Sequence, residues 1–306
     1  MSNNRHPIIS DFLDYIENVR SYSVHTSRSY AYDLNDYVKF CNNFDYEKKF
    51  TALNQSAIQA YLQNLSVQGL SAKTLARRLS AIKSLYKYLL KNNIVKVNIA
   101  IAIKTPKISK KLPRYLSLEE AKKILRLPVG ENEPALRDRL ILELFYATGV
   151  RISELIKICF RDIRLEEGLI FVIGKGNKER FVIMGGKAKL TLQKYMQILN
   201  DRKERDSDSY LFPAIRKNKN GLKKHISQRT IFNIVKKYMK QISDDEKLSP
   251  HSLRHTFATH MLNNGADMMA IKDLLGHSSL SSTQIYTHLQ PVKLKEIYKQ
   301  AHPHGE

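Results

Sequence analysis

The chain has 306 residues, 42% of them hydrophobic, with 51 Lys and Arg against 29 Asp and Glu for a formal charge of +22. That composition supports more than one cored domain and excludes a disordered chain, and no run approaches the roughly 18 apolar residues of a membrane helix. Two cysteines, Cys41 and Cys159, exclude a disulfide framework and a cysteine zinc site, and with an N-terminus (Met1 to Arg5) lacking an apolar signal core they point to a reducing cytoplasm.

Residues 1–103 read as a helical domain. Phe12, Tyr15, Ile16 and Val19 form one apolar stripe. Ser23 then caps a helix running through Tyr30, Leu34 and Phe40. Ile58, Tyr61, Leu62 and Leu65 mark a third helix. Ser71 caps a fourth, with Leu75, Leu79, Ile82, Tyr86 and Leu89 at steps of three and four. Lys73, Arg77 and Ser80 fall on its other faces, and in so basic a domain Lys73 and Arg77 are the candidate contacts to backbone phosphates. Residues 104–114, from Lys104 to Arg114, carry two prolines and five cationic side chains without helical periodicity, which predicts an extended basic linker.

Residues 115–306 form the second predicted domain, mainly helical with a small β element. Ser117-Leu118-Glu119-Glu120 is a capping box. A helix follows over Ala135–Ala147, ended by Gly149, and another begins near Arg151. Leu169–Ile173 and Phe181–Ile183 flank the turn Gly174-Lys175-Gly176-Asn177-Lys178-Glu179-Arg180, the one β-hairpin expected in the chain. The remainder returns to helix, interrupted by a basic loop containing Arg216, Lys217, Lys219, Lys223 and Lys224. Residues 1–110 hold 16 cationic against 7 acidic residues, and residues 111–306 hold 35 against 22. Both halves are basic, as expected of a protein that meets a polyanion from two sides.

Two C-terminal signatures carry the chemistry. The first, S-P-H-S-L-R-H-T-F-A-T-H, holds His251 and Arg254; the second, L-L-G-H-S-S-L-S-S-T-Q-I-Y-T-H, holds His277 and Tyr286. Pro250 suits the first turn of a helix, which puts His251 and Arg254 on one face. An Arg can fork onto non-bridging phosphate oxygens, and a His can move a proton near neutral pH. Gly276 allows a sharp turn just before His277. A phenol with a pKa near 10 is a poor nucleophile until a base or cationic surroundings help it ionise. His255 and His260 are five residues apart and read as structural. His251, His277 and His288 could in principle cluster round a metal. Two-metal phosphoryl chemistry, however, uses bridging carboxylates, and Asp267 and Asp273 read as helix-start or surface residues. Neither H-E-x-x-H nor G-x-x-x-x-G-K-[ST] occurs.

Laid end to end, these segments resemble the tyrosine recombinase (phage integrase) family, in particular its XerC/XerD-type site-specific recombinases. Ala147-Thr148-Gly149-Val150-Arg151-Ile152-Ser153-Glu154-Leu155, the hairpin turn and the two C-terminal signatures carry the resemblance, which covers nearly the whole chain. It departs at Ile99, where many relatives have proline, and at Val182-Ile183-Met184. The resemblance implies an N-terminal SAM-like core-binding domain, a catalytic domain, and a C-shaped clamp on duplex DNA. It implies four protomers synapsing two sites, with the tail from Pro291 to Tyr298 docking on a neighbour. Its catalytic set falls on Arg151, Lys175, His251, Arg254, His277 and Tyr286. Tyr286 would attack the scissile phosphate to form a 3′-phosphotyrosyl bond, with neither metal nor ATP. Arg151 and Arg254 would hold the non-bridging oxygens, Lys175 would protonate the leaving 5′-oxygen, His251 would be the base and His277 a phosphate ligand. Resolution of chromosome dimers at a dif-like site is the expected role. A phage, plasmid or mobile-element integrase, a type IB topoisomerase and a non-catalytic DNA-binding regulator are the alternatives. The sequence leaves open the target site, whether the partner is a second recombinase, and whether a DNA translocase activates it.

Overall fold

The computed structural model describes residues 6–20, 22–45, 49–108, 114–174, 176–201, 206–217, 223–276 and 291–305. The chain divides into two compact units, Met1–Lys111 and Leu112–Glu306, and is mainly α-helical, with twelve α-helices and two small antiparallel sheets among the described residues. No helix among these is long and apolar enough to cross a membrane.

The first unit packs α1 (Pro7–Asn18), α2 (Val24–Phe44), α3 (Gln55–Val67) and α4 (Ala72–Lys91) around one core. The Ser23, Asn54 and Ser71 side chains accept from backbone N–H groups in the first turns of α2, α3 and α4, as N-caps do. Ile9, Phe12, Ile16, Leu34, Ile58, Tyr61, Leu79, Ile82, Tyr86 and Leu89 are buried. Val19, expected on the first stripe, is not: α1 stops at Asn18 and Val19 is 66% exposed at its C-cap. A polar cluster runs from the edge of this core to the surface. Arg77 and Arg78 converge on Asp33, Arg78 also pairs with Asp36, and Arg78 Nη1 donates to Tyr61 Oη at 2.6 Å.

In the second unit Ser117 and Glu120 form the expected capping box at the start of α5 (Leu118–Arg126). At its centre lies α6 (Glu133–Thr148). From Leu140 to Thr148 every residue of it is buried, the mark of a helix covered on all sides. α6 ends at Gly149, φ +60°. The short α7 (Ile152–Leu155) follows directly and leads to a three-stranded antiparallel sheet of β1 (Ile163–Arg164), β2 (Leu169–Ile173) and β3 (Glu179–Ile183). Phe171 opposes Phe181 and Val172 opposes Arg180, so Glu179 and Arg180 belong to the strand and not to the turn.

After α8 (Gly186–Asp201) the expected basic loop is instead a second hairpin. β4 (Pro213–Lys217) pairs with β5 (Lys223–His225), placing Arg216, Lys217, Lys223 and Lys224 in strands; Lys219 lies outside the described residues. These strands lack the apolar alternation that betrays β2 and β3; backbone pairing defines them. α9 (Gln228–Met239), α10 (Pro250–Asn263), α11 (Met268–Leu275) and α12 (Pro291–Ala301) complete the unit. Tyr298 and Ala301 of α12 pack with Phe257, Met261 and Leu274 of the same chain. His302 stacks on Tyr298, ring centroids 4.6 Å apart, and its Nε2 donates to the Tyr146 carbonyl at 3.1 Å.

Candidate active site

The site grows from two left-handed corners. Gly149 ends α6 and Gly276 ends α11, with φ of +60° and +64°. A β-carbon on Gly149 would lie 2.7 Å from Leu275 Cδ2 and 2.8 Å from Phe257 Cδ1, so the corners lie against each other and only glycine fits. Arg254, one turn into α10, reaches both. Its Nη1 donates to the Gly149 carbonyl and its Nη2 to the Leu275 carbonyl at 2.6 Å. Burial, reinforced by the charge of Arg151, lowers its pKa to about 10.

Arg151 is the N-cap of α7. Its backbone N–H donates to Glu154 Oε2 at 3.0 Å and its Nη1 to Glu154 Oε1 at 2.7 Å. Glu154 is 2% exposed in its side chain and also receives Arg180 from β3, whose Nη2 lies 2.8 Å from Oε2. Burial by itself would raise the Glu154 pKa. The hydrogen bonds from Arg180 and from the Arg151 backbone outweigh it, and the carboxyl is held below its ordinary value. Glu154 and Arg180 were not among the residues singled out from sequence; the signal that could have found Glu154 is its place three residues after Arg151 at a helix start.

Among the described residues, Arg151 and Arg180 bond one carboxylate and Arg254 lies within its field, three guanidiniums to one carboxylate and an excess of +2. Such an excess in a partly dry site is costly without an anion, so the cluster is built to receive one. His251 is exposed on the first turn of α10, one turn before buried Arg254. Lys175, His277 and Tyr286 lie outside the described residues, as does His288. Gly174 and Gly276, their neighbours Lys175 and His277 following directly in the chain, both adjoin this cluster. Among the described residues no group of three His, Cys, Asp or Glu could hold a metal ion. Asp267 is the N-cap of α11, as expected.

His260 is structural. Its Nε2 donates to the Leu116 carbonyl and its Nδ1 accepts from Tyr146 Oη, both at 3.0 Å, which fixes the tautomer. Burial lowers its pKa, in keeping with a neutral ring. His255 meets the edge of Tyr115. In the first unit Lys73 is exposed on α4, while Arg77 is exposed along much of its length but gives one nitrogen to Asp33.

Residues 114–293 match the phage integrase family, and residues 9–93 match the phage integrase N-terminal SAM-like domain. The chain belongs to the phage integrase family. It is 40% identical over 298 residues to the tyrosine recombinase XerC of Thermodesulfovibrio yellowstonii, an alignment covering 96% of each chain. It is 34% identical over 298 residues to the tyrosine recombinase XerD of Halalkalibacterium halodurans, covering 96% of this chain and 97% of that one. Among solved structures it shares its fold with XerH site-specific recombinase bound to palindromic difH substrate in a post-cleavage complex. There the TM-score is 0.68 at 22% identity, covering 94% of this chain and 83% of that one. The recombinase is thus an XerC/XerD-type enzyme, a site-specific recombinase that exchanges DNA strands.

Proposed function

We propose that this recombinase cleaves and rejoins duplex DNA through a 3′-phosphotyrosyl intermediate, and that it resolves chromosome dimers at a dif-like site in the cytoplasm. The observation that carries the chemistry is the +2 guanidinium cluster of Arg151, Arg180 and Arg254 round Glu154, positioned by two glycine corners. A phosphodiester supplies the missing negative charge, and its transition state, more negative on the non-bridging oxygens, is held more tightly still.

In this reading Tyr286 Oη attacks the scissile phosphorus as His251 takes the phenolic proton. The bond from phosphorus to the 5′-oxygen breaks, and Lys175 delivers a proton to that oxygen. Arg151, Arg254 and His277 hold the non-bridging oxygens. One phosphodiester replaces another, so the exchange is close to balanced without ATP. Residues 1–103 serve as the core-binding domain, 104–114 as the linker and 115–306 as the catalytic domain. Lys73 and Arg77 contact the DNA backbone. The unit boundary at Lys111 and the basic balance of both halves support this division. Near full-length identity to XerC and XerD proteins supports the dimer-resolution role. A homo- or heterotetramer of recombinase protomers on two sites, with a DNA translocase as candidate activator, belongs to the same reading.

The test uses a nicked suicide substrate carrying one recombination site. The parent enzyme becomes covalently attached to DNA, whereas Tyr286→Phe binds equally well and gives no adduct. An adduct from Tyr286→Phe would remove the nucleophile assignment, and free DNA ends without attached protein would remove the mechanism.

A further inference from the structure

The cluster contains one guanidinium that the proposed mechanism leaves without a task. Arg180 sits on β3 opposite Val172, and its side chain is only 12% exposed. Nη1 and Nη2 bond the two Glu154 oxygens at 3.3 and 2.8 Å, and Nε donates to the Leu274 carbonyl at 3.0 Å. Its donors face protein groups, which makes it a poor direct ligand for DNA.

Its packing is more informative than its bonds. A β-carbon on Gly174 would lie 3.2 Å from Arg180 Nη1, and one on Gly276 would lie 2.9 Å from Nη1 and 3.1 Å from Cζ. The planar group is wedged between the two glycines, occupying the space a side chain at either would need. Each glycine immediately precedes a residue of the predicted catalytic set, Lys175 after Gly174 and His277 after Gly276. Through Glu154 the same guanidinium also braces Arg151. A single planar fork therefore lies beside the glycines that precede Lys175 and His277 and bonds the carboxylate partner of Arg151, joining the β2–β3 hairpin, the end of α11 and α7.

We propose that Arg180 is a positioning residue for strand cleavage: wedged between Gly174 and Gly276 and bonded to Glu154 and the Leu274 carbonyl, it sets where Lys175 and His277 leave the scaffold relative to Arg151. This rests on the reading of Lys175 as the acid that protonates the leaving 5′-oxygen. Lysine cannot replace arginine here, because an ammonium lacks the planar fork that spans both carboxylate oxygens while an in-plane Nε reaches a third acceptor.

The test compares Arg180→Lys and Arg180→Ala with the parent in single-turnover cleavage of two nicked suicide substrates. One carries the natural 5′-oxygen at the scissile position and the other a 5′-sulfur. In the second, Tyr286 Oη bonds to phosphorus and the P–S bond breaks to release a thiolate, a leaving group stable without a proton. A displacement of about 1 Å in a catalytic group costs about 10²-fold, so both variants should cleave the oxygen substrate about 10²-fold more slowly, with DNA affinity within about twofold of the parent. On the sulfur substrate that deficit should shrink by about tenfold or more, since the acid is no longer needed. Arg180→Lys cleaving at the parent rate would overturn the proposal, showing that charge alone suffices. An equal deficit on both substrates would also overturn it. Lys175→Ala on the same pair separates the two readings. If sulfur rescues Lys175→Ala but not the Arg180 variants, only the role of Arg180 falls. If sulfur fails to rescue Lys175→Ala, the acid assignment falls and takes this proposal with it. Should Arg180→Ala unfold below the assay temperature, Arg180→Lys, which keeps the buried charge paired, decides.

Discussion

Replacing Glu154 by glutamine isolates the electrostatic claim on which the site rests. Glutamine has nearly the shape of glutamate, so packing is preserved while the only carboxylate among the described residues of the guanidinium cluster is lost. Four hydrogen bonds now end on that carboxylate: from the Arg151 N–H, from Arg151 Nη1, and from Arg180 Nη1 and Nη2. Glutamine keeps one acceptor oxygen and turns an NH2 towards a guanidinium. The excess charge rises from +2 to +3 in a site where Glu154 is 2% and Arg180 12% exposed. Removing one partner of a buried ion pair costs about 3–5 kcal/mol. Arg151, 28% exposed, can turn part of its charge to water, so the lower end, about 3 kcal/mol, is expected. For a unit of this size each kcal/mol moves the midpoint by about 2–4 °C, which predicts a fall of about 6–12 °C for the catalytic unit by calorimetry. Sulfate should restore more of the midpoint in the variant than it adds to the parent, because the variant has the greater unmet positive charge. A variant within about 1 kcal/mol of the parent, or one no more responsive to sulfate, would refute the reasoning.

Three further outcomes are expected. Gly149→Ala should cost about 3 kcal/mol, because a left-handed backbone adds about 1 and the contacts with Leu275 and Phe257 add overpacking; Gly265→Ala, at φ +88° with open space around it, should lose only the backbone part, and equal costs in urea titrations would discredit the packed-corner account. Burial lowers the His302 pKa from 6.5 to about 3, against the opposing pull of its hydrogen bond to the Tyr146 carbonyl. The unfolded chain therefore takes up this proton first, so its contribution is whole above pH 6.5 and is lost as pH falls from there towards 3: about 2 kcal/mol by pH 5, a slope that His302→Gln should remove from stability measured against pH. In the first unit, Lys73→Ala should reduce the salt dependence of DNA affinity by about one counterion while leaving the fold intact. Arg77→Ala should in addition destabilise that unit, since it takes a partner from buried Asp33; a Lys73 variant with an unchanged salt slope would remove it from the interface.

What the sequence revealed was mostly what local chemistry decides. Ser23, Ser71, the Ser117–Glu120 box, Gly149 and Pro250 each stand where the corresponding helix begins or ends, because caps, prolines and left-handed glycines act within four residues. The periodic apolar positions of α4 are buried for the same reason. What stayed hidden needed distance in the chain. Arg180 and Glu154 are 26 residues apart and Arg180 meets Leu274 across 94, so neither looks unusual in its own segment. Val19 continued a helical spacing past the point where the helix stops. The β4–β5 hairpin was masked by its cationic side chains, which suggest a solvated loop although the backbone pairs. Lys175, His277 and Tyr286 are carried by sequence signatures alone, and what the described residues add is the cluster their neighbours adjoin.

The two predicted phosphate-holding arginines are fastened in opposite ways, and the difference has a chemical consequence. Arg151 opens a helix, where the backbone field is positive and a guanidinium is unwelcome, so a buried carboxylate is required to keep it there. Arg254 instead meets the carbonyl ends of two helices, α6 and α11, through the Gly149 and Leu275 carbonyls. Carbonyls at a helix C-terminus carry partial negative charge that orients a guanidinium without cancelling it. Both arginines thus arrive fixed in direction, while the sum of the cluster stays positive by two. Were Arg254 braced by a second carboxylate, its geometry could be the same but half of that excess would vanish, and with it much of the preference for a transition state richer in negative charge than the ground state. In the proposed mechanism the left-handed glycines matter for this reason: each ends its helix abruptly enough to present a carbonyl that orients Arg254 without neutralising it.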